Sequence, residues 1–215
     1  MNKPYAIFDM DGTLVDSMVY WKRLAEEFLH QKGVQSVPAE ILEQIRPMTM
    51  TESAELFKQV FHLEGTPENI AKEMNALMDL HYHRDIPLKS GVREYLEQLH
   101  QTGTKMCVAS ATAEPLMEAC LNRLGVAQYF EFLLSCETVG VGKNRPDVYF
   151  AAAERLMAEP EEIAVYEDAL YAAKTAKAAG FYVVGVFDES AAKHFEELKR
   201  VSDEVIGTWQ GGEDR

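Results

Sequence analysis

Residues 5–14 read YAIFDMDGTL, an apolar run that leads directly into two aspartates and a glycine. The apolar run 5–8 predicts a buried β-strand, and Gly12 predicts the turn that ends it. Asp9 and Asp11 are therefore expected at the carboxyl end of a strand, where open parallel α/β sheets bind their ligands. Two acids held close together need a cation or a shared proton to offset their repulsion. The structural alternative is that Asp9 caps a helix and Asp11 begins a turn before Gly12.

The rest of the chain follows two patterns. Residues 16–86 have the period of amphipathic helices, with Thr51 and Thr66 as predicted N-caps, and contain no convincing strand. From Ser90 onwards, predicted helices alternate with predicted strands, which are residues 105–110, 130–135, 163–166 and 182–187. This alternation predicts an α/β fold, a Rossmann-like parallel sheet with helices on both faces. We expect a catalytic core of residues 1–15 and 87–215, with residues 16–86 inserted as an all-helical cap above Asp9 and Asp11.

Composition narrows the possible partners and location. The chain has 215 residues, 47% of them hydrophobic, and a net charge of −14 from 35 acidic and 21 basic residues. The negative electrostatic field of such a protein repels nucleic acid. An anionic ligand can therefore bind only where positive groups reverse the charge locally. No apolar run is long enough to span a membrane and no signal-peptide pattern precedes residue 5, so we expect a cytoplasmic monomer or weak homodimer. Cys107, Cys120 and Cys136 are expected to be buried reduced thiols, with a nucleophilic Cys136 as the alternative.

Further polar residues follow the later predicted strands. Glu167 and Asp168 come directly after the strand 163–166, so four carboxylates are expected at one edge of the sheet. Oxygen ligands in this number suit Mg²⁺, although acids at a helix N-terminus also favour the helix dipole. Ser110 ends another strand and, with the amide of Ala111, can donate to a phosphate oxygen. Lys143 stands in a glycine-punctuated loop and either neutralises a bound anion or remains an ordinary solvated charge.

Four elements follow one another along the chain: the first acid pair (Asp9 and Asp11), Ser110 at a strand end, Lys143 in its loop, and the second acid pair (Glu167 and Asp168). Together, in this order, they resemble the motifs of the haloacid dehalogenase-like (HAD) hydrolase superfamily, in particular its phosphatase and β-phosphoglucomutase-like branch with a helical cap. The resemblance implies that Asp9 is the nucleophile that forms an aspartyl phosphate. It implies that Asp11 is the general acid and base and offers its backbone carbonyl to Mg²⁺. By the same resemblance, Ser110 binds the phosphoryl group and Lys143 holds Asp9 and the phosphate. Asp168 completes the metal site, with Glu167 beside it.

The cap is expected to select the substrate. Arg46 can meet a second anionic group or form a surface salt bridge, and Trp21 can stack on a ring. Trp21 stands where β-phosphoglucomutases have a histidine that assists the mutase step, which argues against mutase activity. His81 and His83 are two apart on a predicted helix and point away from each other, so a metal site there is rejected.

The sequence therefore predicts a magnesium-dependent phosphatase of a small phosphorylated metabolite, such as a sugar phosphate. The alternatives are a sugar phosphomutase and a non-catalytic phospho-ligand-binding or regulatory protein.

Overall fold

A computed structural model describes residues 3–45 and 47–209 of the chain. Its centre is a sheet in which every pair of neighbouring strands is parallel, in the order β3-β2-β1-β4-β5-β6. The strands are β1 (Tyr5–Phe8), β2 (Lys105–Ser110), β3 (Phe130–Ser135), β4 (Ile163–Glu167), β5 (Tyr182–Val186) and β6 (Glu204–Ile206). The predicted Rossmann-like parallel sheet is therefore confirmed.

The first strand lies in the middle of this sheet because its side chains are apolar on both faces. Ile7 pairs with Cys107 on β2 and with Val165 on β4. Ala6 and Phe8 pack into one hydrophobic cluster, whereas Ile7 packs into a second cluster on the other face. A parallel strand with both faces covered needs such a continuous apolar run. The position of β1 places Asp9 and Asp11 at the centre of the carboxyl edge.

Helices cover the sheet and fill the long connection between β1 and β2. The α-helices are α1 (Met18–Gln31), α2 (Ala39–Ile45), α3 (Met50–Phe61), α4 (Pro67–Arg84), α5 (Val92–Gln101), α6 (Glu114–Arg123), α7 (Cys136–Val139), α8 (Asp147–Leu156), α9 (Leu170–Ala178) and α10 (Phe195–Val201). Short 3₁₀ turns occupy Ala127–Tyr129, Pro160–Glu162 and Glu189–His194. The described part of residues 16–86 contains no strand.

One of the two predicted helix caps is wrong. Helix α4 begins as predicted, with the Thr66 hydroxyl accepting from the amide of Asn69 and Pro67 at the first helical position. Helix α3 is capped by Thr49 and not by Thr51, because Thr49 forms a reciprocal capping box with Glu52. Thr51 lies inside the helix, where its hydroxyl faces Glu137 at 3.4 Å.

The chain leaves the sheet and returns to it at one junction. The amide of Asp16 donates to the carbonyl of Pro87, and the amide of Lys89 donates to the carbonyl of Leu14, both at 3.0 Å. Val15 also forms an antiparallel bridge with Leu88. We propose that this junction separates a core (residues 1–15 and 87–215) from a helical cap (residues 16–86), as the sequence predicts.

The cysteine prediction is confirmed. Cys107, Cys120 and Cys136 are buried and free. Burial raises the pKa of Cys136 and also that of Cys120, each to about 11, so these thiols stay protonated at neutral pH. In the described part of the chain, no helix combines the length and the apolarity needed to cross a bilayer.

Candidate active site

The site is built around a buried lysine that contacts two buried carboxylates. Lys143 lies in the loop before α8, and its Nζ atom is 2.5 Å from Oδ1 of Asp9 and 2.6 Å from Oε1 of Glu167. Asp9 follows β1 and Glu167 ends β4, so the neighbouring central strands bring the two carboxylates together. The Tyr149 hydroxyl on α8 donates to the same Oε1 of Glu167 at 2.8 Å. The solvated alternative for Lys143 is excluded, because its exposed fraction is only 3%.

Three carboxylates in this cluster could hold a metal ion. Oxygen atoms of Asp9, Glu167 and Asp168 all lie within 4.8 Å of one another, and all three residues are buried. Oε2 of Glu167 is buried and has no hydrogen-bond partner among the described residues. A buried carboxylate oxygen without a partner is costly unless a cation or water satisfies it. The donor set, all hard oxygen atoms, fits Mg²⁺.

The buried cluster has three acidic side chains and one basic one, and these shift one another's pKa values. Burial raises the pKa of Asp9 well above its ordinary value, although the charge of Lys143 opposes this. Burial, followed by the charge of Glu167, raises the pKa of Asp168 to about 7. Burial alone would lower the pKa of Lys143, but the charges of Asp9 and Glu167 outweigh it and raise that pKa. One ammonium group is therefore shared among several acids, and a divalent cation would complete the balance.

Asp11 lies beside this cluster, and three hydroxyl groups hold its side chain. Ser17 and Tyr82 donate to Oδ1 at 2.6 and 2.7 Å, and Thr112 donates to Oδ2 at 2.6 Å. The hydroxyl of Ser110 is 3.5 Å from the same Oδ2. The side-chain oxygens of Asp11 do not belong to the three-carboxylate group. The contact between the backbone carbonyl of Asp11 and a metal ion, which the resemblance implies, stays a prediction.

Glycine allows the backbone to approach the carboxylates closely. Gly12 has a φ of +83°, and a Cβ atom at this position would lie 2.6 Å from Oδ2 of Asp168. Thr13 next to it donates to Oδ1 of Asp168 at 3.1 Å. A Cβ atom on Gly142 would lie 2.5 Å from the carbonyl oxygen of Pro47, so the lysine loop meets the helical insertion here. Both glycines are therefore needed for close contacts and not only for turns.

A cavity of about 730 Å³ joins the carboxyl edge of the sheet to the helical insertion. It is lined by nearly all the residues that the sequence predicts for catalysis, substrate or metal binding, namely Asp9, Asp11, Trp21, Ser110, Ala111, Lys143, Glu167 and Asp168. The remaining one, Arg46, lies outside the described residues. The size is that of a pocket for a small molecule.

Several contacts in the site were not predicted. Tyr82, Ser17 and Thr13 are buried and donate hydrogen bonds to acids at the carboxyl edge of the sheet, the first two to Asp11 and the third to Asp168. Tyr82 does continue the buried spacing of Ile70, Met74 and Met78 along α4, so its burial has a signal in the sequence. Its hydroxyl contact with Asp11 has none, because it depends on how α4 packs against the core.

His81 and His83 have separate local partners, as expected from their spacing. Nδ1 of His81 is 3.0 Å from Asp85, and Nδ1 of His83 is 3.0 Å from Asp79. The two residues of each pair are four positions apart, and Asp85 is the residue that caps the C-terminus of α4. Within residues 3–45 and 47–209, neither histidine belongs to a group that could hold a metal.

The sequence matches a family model over most of its length. The model describes haloacid dehalogenase-like hydrolases and matches residues 6–186. A phosphorylated carbohydrates phosphatase of Thermotoga maritima is 26% identical over 178 residues, which cover 81% of this chain and 80% of that protein. The fructose-1-phosphate phosphatase YqaB of Escherichia coli is 27% identical over 184 residues, which cover 84% of this chain and 94% of that protein.

Solved structures share the fold at lower identity. A mutant of CbbY from Rhodobacter sphaeroides, in complex with xylulose-(1,5)bisphosphate, superposes with a TM-score of 0.83 and 22% sequence identity. The match covers 97% of this chain and 95% of that one. At this identity the likeness shows that the fold is shared over nearly the whole of both chains, and nothing about the ligand.

Proposed function

The chain belongs to the haloacid dehalogenase-like hydrolase family, and from this premise we propose that it is a magnesium-dependent phosphatase. Its proposed substrates are small phosphorylated metabolites, sugar phosphates in particular, and its proposed intermediate is an aspartyl phosphate. One observation carries the proposal: Lys143 contacts both Asp9 and Glu167 at the floor of the cavity, beside Asp168. The two relatives described above support it, because both are named as phosphatases of phosphorylated carbohydrates.

In the proposed mechanism, Asp9 attacks the phosphorus atom of the ester. A carboxylate and a phosphate repel each other, so the ammonium group of Lys143 screens the approach. Ser110 and the amide of Ala111 bind phosphoryl oxygens from the end of β2. A bond forms between Asp9 and phosphorus while the bond from phosphorus to the ester oxygen breaks. Asp11 gives its proton to the departing alkoxide.

The second half of the reaction regenerates Asp9. Asp11, now a carboxylate, takes a proton from a water molecule as that water attacks the phosphoryl group. The bond between phosphorus and Asp9 breaks, and inorganic phosphate leaves. Mg²⁺ would be held by the carboxylates of Asp9 and Asp168 and by the backbone carbonyl of Asp11. Glu167 would lie beside these ligands. When bound, Mg²⁺ would supply positive charge that offsets the charge building up on the phosphoryl oxygens.

The residues that line the cavity favour a small organic leaving group. Trp21 lines the cavity from α1, together with apolar residues of the helical insertion such as Leu24 and Met74. We propose that these residues contact the sugar or polyol, and that Arg46 remains a candidate for a second anionic group. A cytoplasmic location and a monomeric or weakly dimeric state also remain predictions.

A panel of phosphomonoesters assayed with Mg²⁺ tests the proposal. The wild-type protein should release inorganic phosphate from sugar phosphates, and Asp9→Asn should reduce the rate by at least about a thousandfold. Asp79→Asn is the matched control, because Asp79 is exposed on α4, pairs with the exposed His83 and does not line the cavity. Undiminished turnover by Asp9→Asn would refute the mechanism. Absence of turnover with every ester would favour a non-catalytic binding protein.

The mutase alternative predicts a different product. A phosphomutase would convert a sugar phosphate into its isomer in the presence of a sugar bisphosphate, with little free phosphate. Trp21 argues against this activity, because its indole donates a hydrogen bond to Tyr82 and offers no group that exchanges protons near neutral pH. Incubating the protein with glucose 1-phosphate and glucose 1,6-bisphosphate should therefore yield phosphate and not glucose 6-phosphate.

A further inference from the structure

A chain of hydrogen bonds runs from the helical insertion to Asp11. The indole Nε1 of Trp21 on α1 donates to the hydroxyl of Tyr82 on α4, at 2.9 Å. The hydroxyl of Tyr82 donates in turn to Oδ1 of Asp11, at 2.7 Å. Tyr82 is fully buried, so water does not compete for these contacts.

The direction of this chain follows from the chemistry of its members. An indole can only donate, so the Tyr82 oxygen must accept from Trp21 and use its single hydrogen elsewhere. Two acceptors are in reach: Oδ1 of Asp11 at 2.7 Å and the hydroxyl of Thr112 at 3.2 Å. The carboxylate is the closer and the stronger acceptor. Thr112 meanwhile donates to the other oxygen of Asp11, at 2.6 Å.

The backbone of Tyr82 is attached to the sheet side of the molecule. Arg123 on α6 donates from Nε to the carbonyl of Tyr82 at 2.9 Å, and from Nη2 to the carbonyl of Ile86. The ring of Tyr82 also packs edge-on against that of Trp21, with centroids 6.2 Å apart. A phenolic hydroxyl lies on a rigid ring, whereas the hydroxyls of Ser17 and Thr112 rotate about a single bond. Tyr82 is therefore the least adjustable of the three donors to Asp11.

The geometry points to Tyr82 as a positioning residue that presents one particular oxygen of Asp11 to the leaving group. This inference rests on the acid and base role proposed for Asp11. Oδ1 accepts two short hydrogen bonds, from Ser17 and Tyr82, whereas Oδ2 accepts one, from Thr112. A transferable proton therefore belongs on Oδ2, which has a lone pair left to carry it. Oδ2 is also the oxygen that lies 3.5 Å from the hydroxyl of Ser110, the proposed phosphoryl-binding group. Without Tyr82, the carboxyl group could turn and present either oxygen.

The dependence of the rate on the leaving group tests this role. An alkoxide leaves poorly without a proton, whereas p-nitrophenolate leaves readily without one. Only the alkyl ester should therefore depend on the orientation of Asp11 in the first step, which kcat/KM reports. Tyr82→Phe keeps the ring and its packing and removes the hydroxyl. We expect its kcat/KM to fall about tenfold with fructose 1-phosphate and by less than about twofold with p-nitrophenyl phosphate.

Two further variants, Tyr95→Phe and Asp11→Asn, show whether a loss in Tyr82→Phe comes from the orientation of Asp11. Tyr95→Phe removes another, partly buried hydroxyl, which contacts Tyr166 away from the cavity, and should leave kcat/KM unchanged for both esters. Asp11→Asn should show the same selective loss as Tyr82→Phe, but a larger one. Equal losses on both esters, or no loss on either, in Tyr82→Phe would overturn the inference. If Asp11→Asn itself showed no selectivity for the alkyl ester, the role proposed for Asp11 would be wrong, which is a separate failure.

Discussion

At the scale of single residues, Lys143 places a positive charge between two buried carboxylates. It is buried, and its ammonium group contacts Asp9 and Glu167. Buried ion pairs gain little net stability, but removing one partner leaves uncompensated charge in a medium that solvates it poorly. The same lysine therefore supports both the folded state and the proposed approach of a phosphate.

Replacing Lys143 by methionine tests how much this buried lysine stabilises the fold, in comparison with a lysine on the surface. We expect Lys143→Met to lower the free energy of unfolding by about 3 kcal/mol in chelator, measured by chemical denaturation. Lys174→Met is the control, because the pair of Lys174 with Glu197 is exposed and should contribute less than about 0.5 kcal/mol. Equal effects of the two substitutions would contradict the buried ion cluster.

The pKa of Asp168, which burial raises from 3.8 to about 7, predicts how stability depends on pH. A raised pKa in the folded state stabilises the metal-free protein at low pH, and this stability is lost as the pH rises through about 7. Mg²⁺ binds the deprotonated carboxylate, so the increase in Tm on adding Mg²⁺ should grow between about pH 5 and about pH 8. Calorimetry with Mg²⁺ or with chelator measures it. An increase in Tm that is constant over this range would show that Asp168 is not a ligand.

At the scale of elements, the turn after β1 is the most constrained segment. Gly12 combines a left-handed φ of +83° with an approach to Asp168 that leaves no room for a Cβ atom. The hydroxyl of Thr13 holds the same carboxylate, and the carbonyl of Thr13 accepts from the indole of Trp209 at 3.2 Å. The turn therefore sets the position of one proposed metal ligand.

Two glycine substitutions can distinguish backbone strain from the close approach. Gly103 has a φ of +81°, but a Cβ atom there would meet nothing within 4 Å. Gly103→Ala should therefore cost only the left-handed strain, about 1 kcal/mol in the free energy of unfolding. Gly12→Ala should cost more, and should also weaken activation by Mg²⁺, because Asp168 must move. If both variants lost the same stability and kept the same Mg²⁺ dependence, the contact with Asp168 would be unimportant.

Elements differed in how well their sequence predicted them. The long apolar strands were predicted because strands with both faces buried have continuous apolar runs, as in β1 and β2. Strand β6 (Glu204–Ile206) was not predicted, because three residues on a sheet edge carry too short a pattern. The hydroxyl of Thr51 precedes an apolar period and therefore predicts a cap there, but the reciprocal bond with Glu52 selects Thr49.

At the scale of the whole molecule, an anionic protein is proposed to bind an anionic substrate. The net charge is −14, and three acids gather at the floor of the cavity. Lys143 alone does not reverse that sign. The affinity for phosphate should therefore depend on the metal ion more than on the protein's own charges.

Thermal unfolding in the presence of inorganic phosphate tests this dependence. We expect phosphate to raise the Tm by several degrees when Mg²⁺ is present and by less than about one degree in chelator, because only the metal-bound site binds it. Chloride at the same ionic strength is the control for screening. Equal stabilisation by phosphate with and without Mg²⁺ would contradict the charge argument.

The sequence predicts the acids at the carboxyl edge of the sheet better than the side chains that hold these acids in place. Asp9, Ser110 and Glu167 each lie at the end of a parallel strand, so the order of strands alone brings them to one edge. Tyr82 reaches Asp11 from a helix 71 positions along the chain, through packing that no local pattern specifies. The division into core and cap, and the roles of the site residues, remain predictions.

The most direct test of the central claim is to trap the phosphoryl group on the chain. The protein is mixed with Mg²⁺ and fructose 1-phosphate, quenched in acid within one turnover, and digested for peptide mass analysis. We predict one added phosphoryl group on Asp9 in the wild type and none in Asp9→Asn. Turnover without a phosphoryl group on Asp9, or a group found on another residue, would contradict the account.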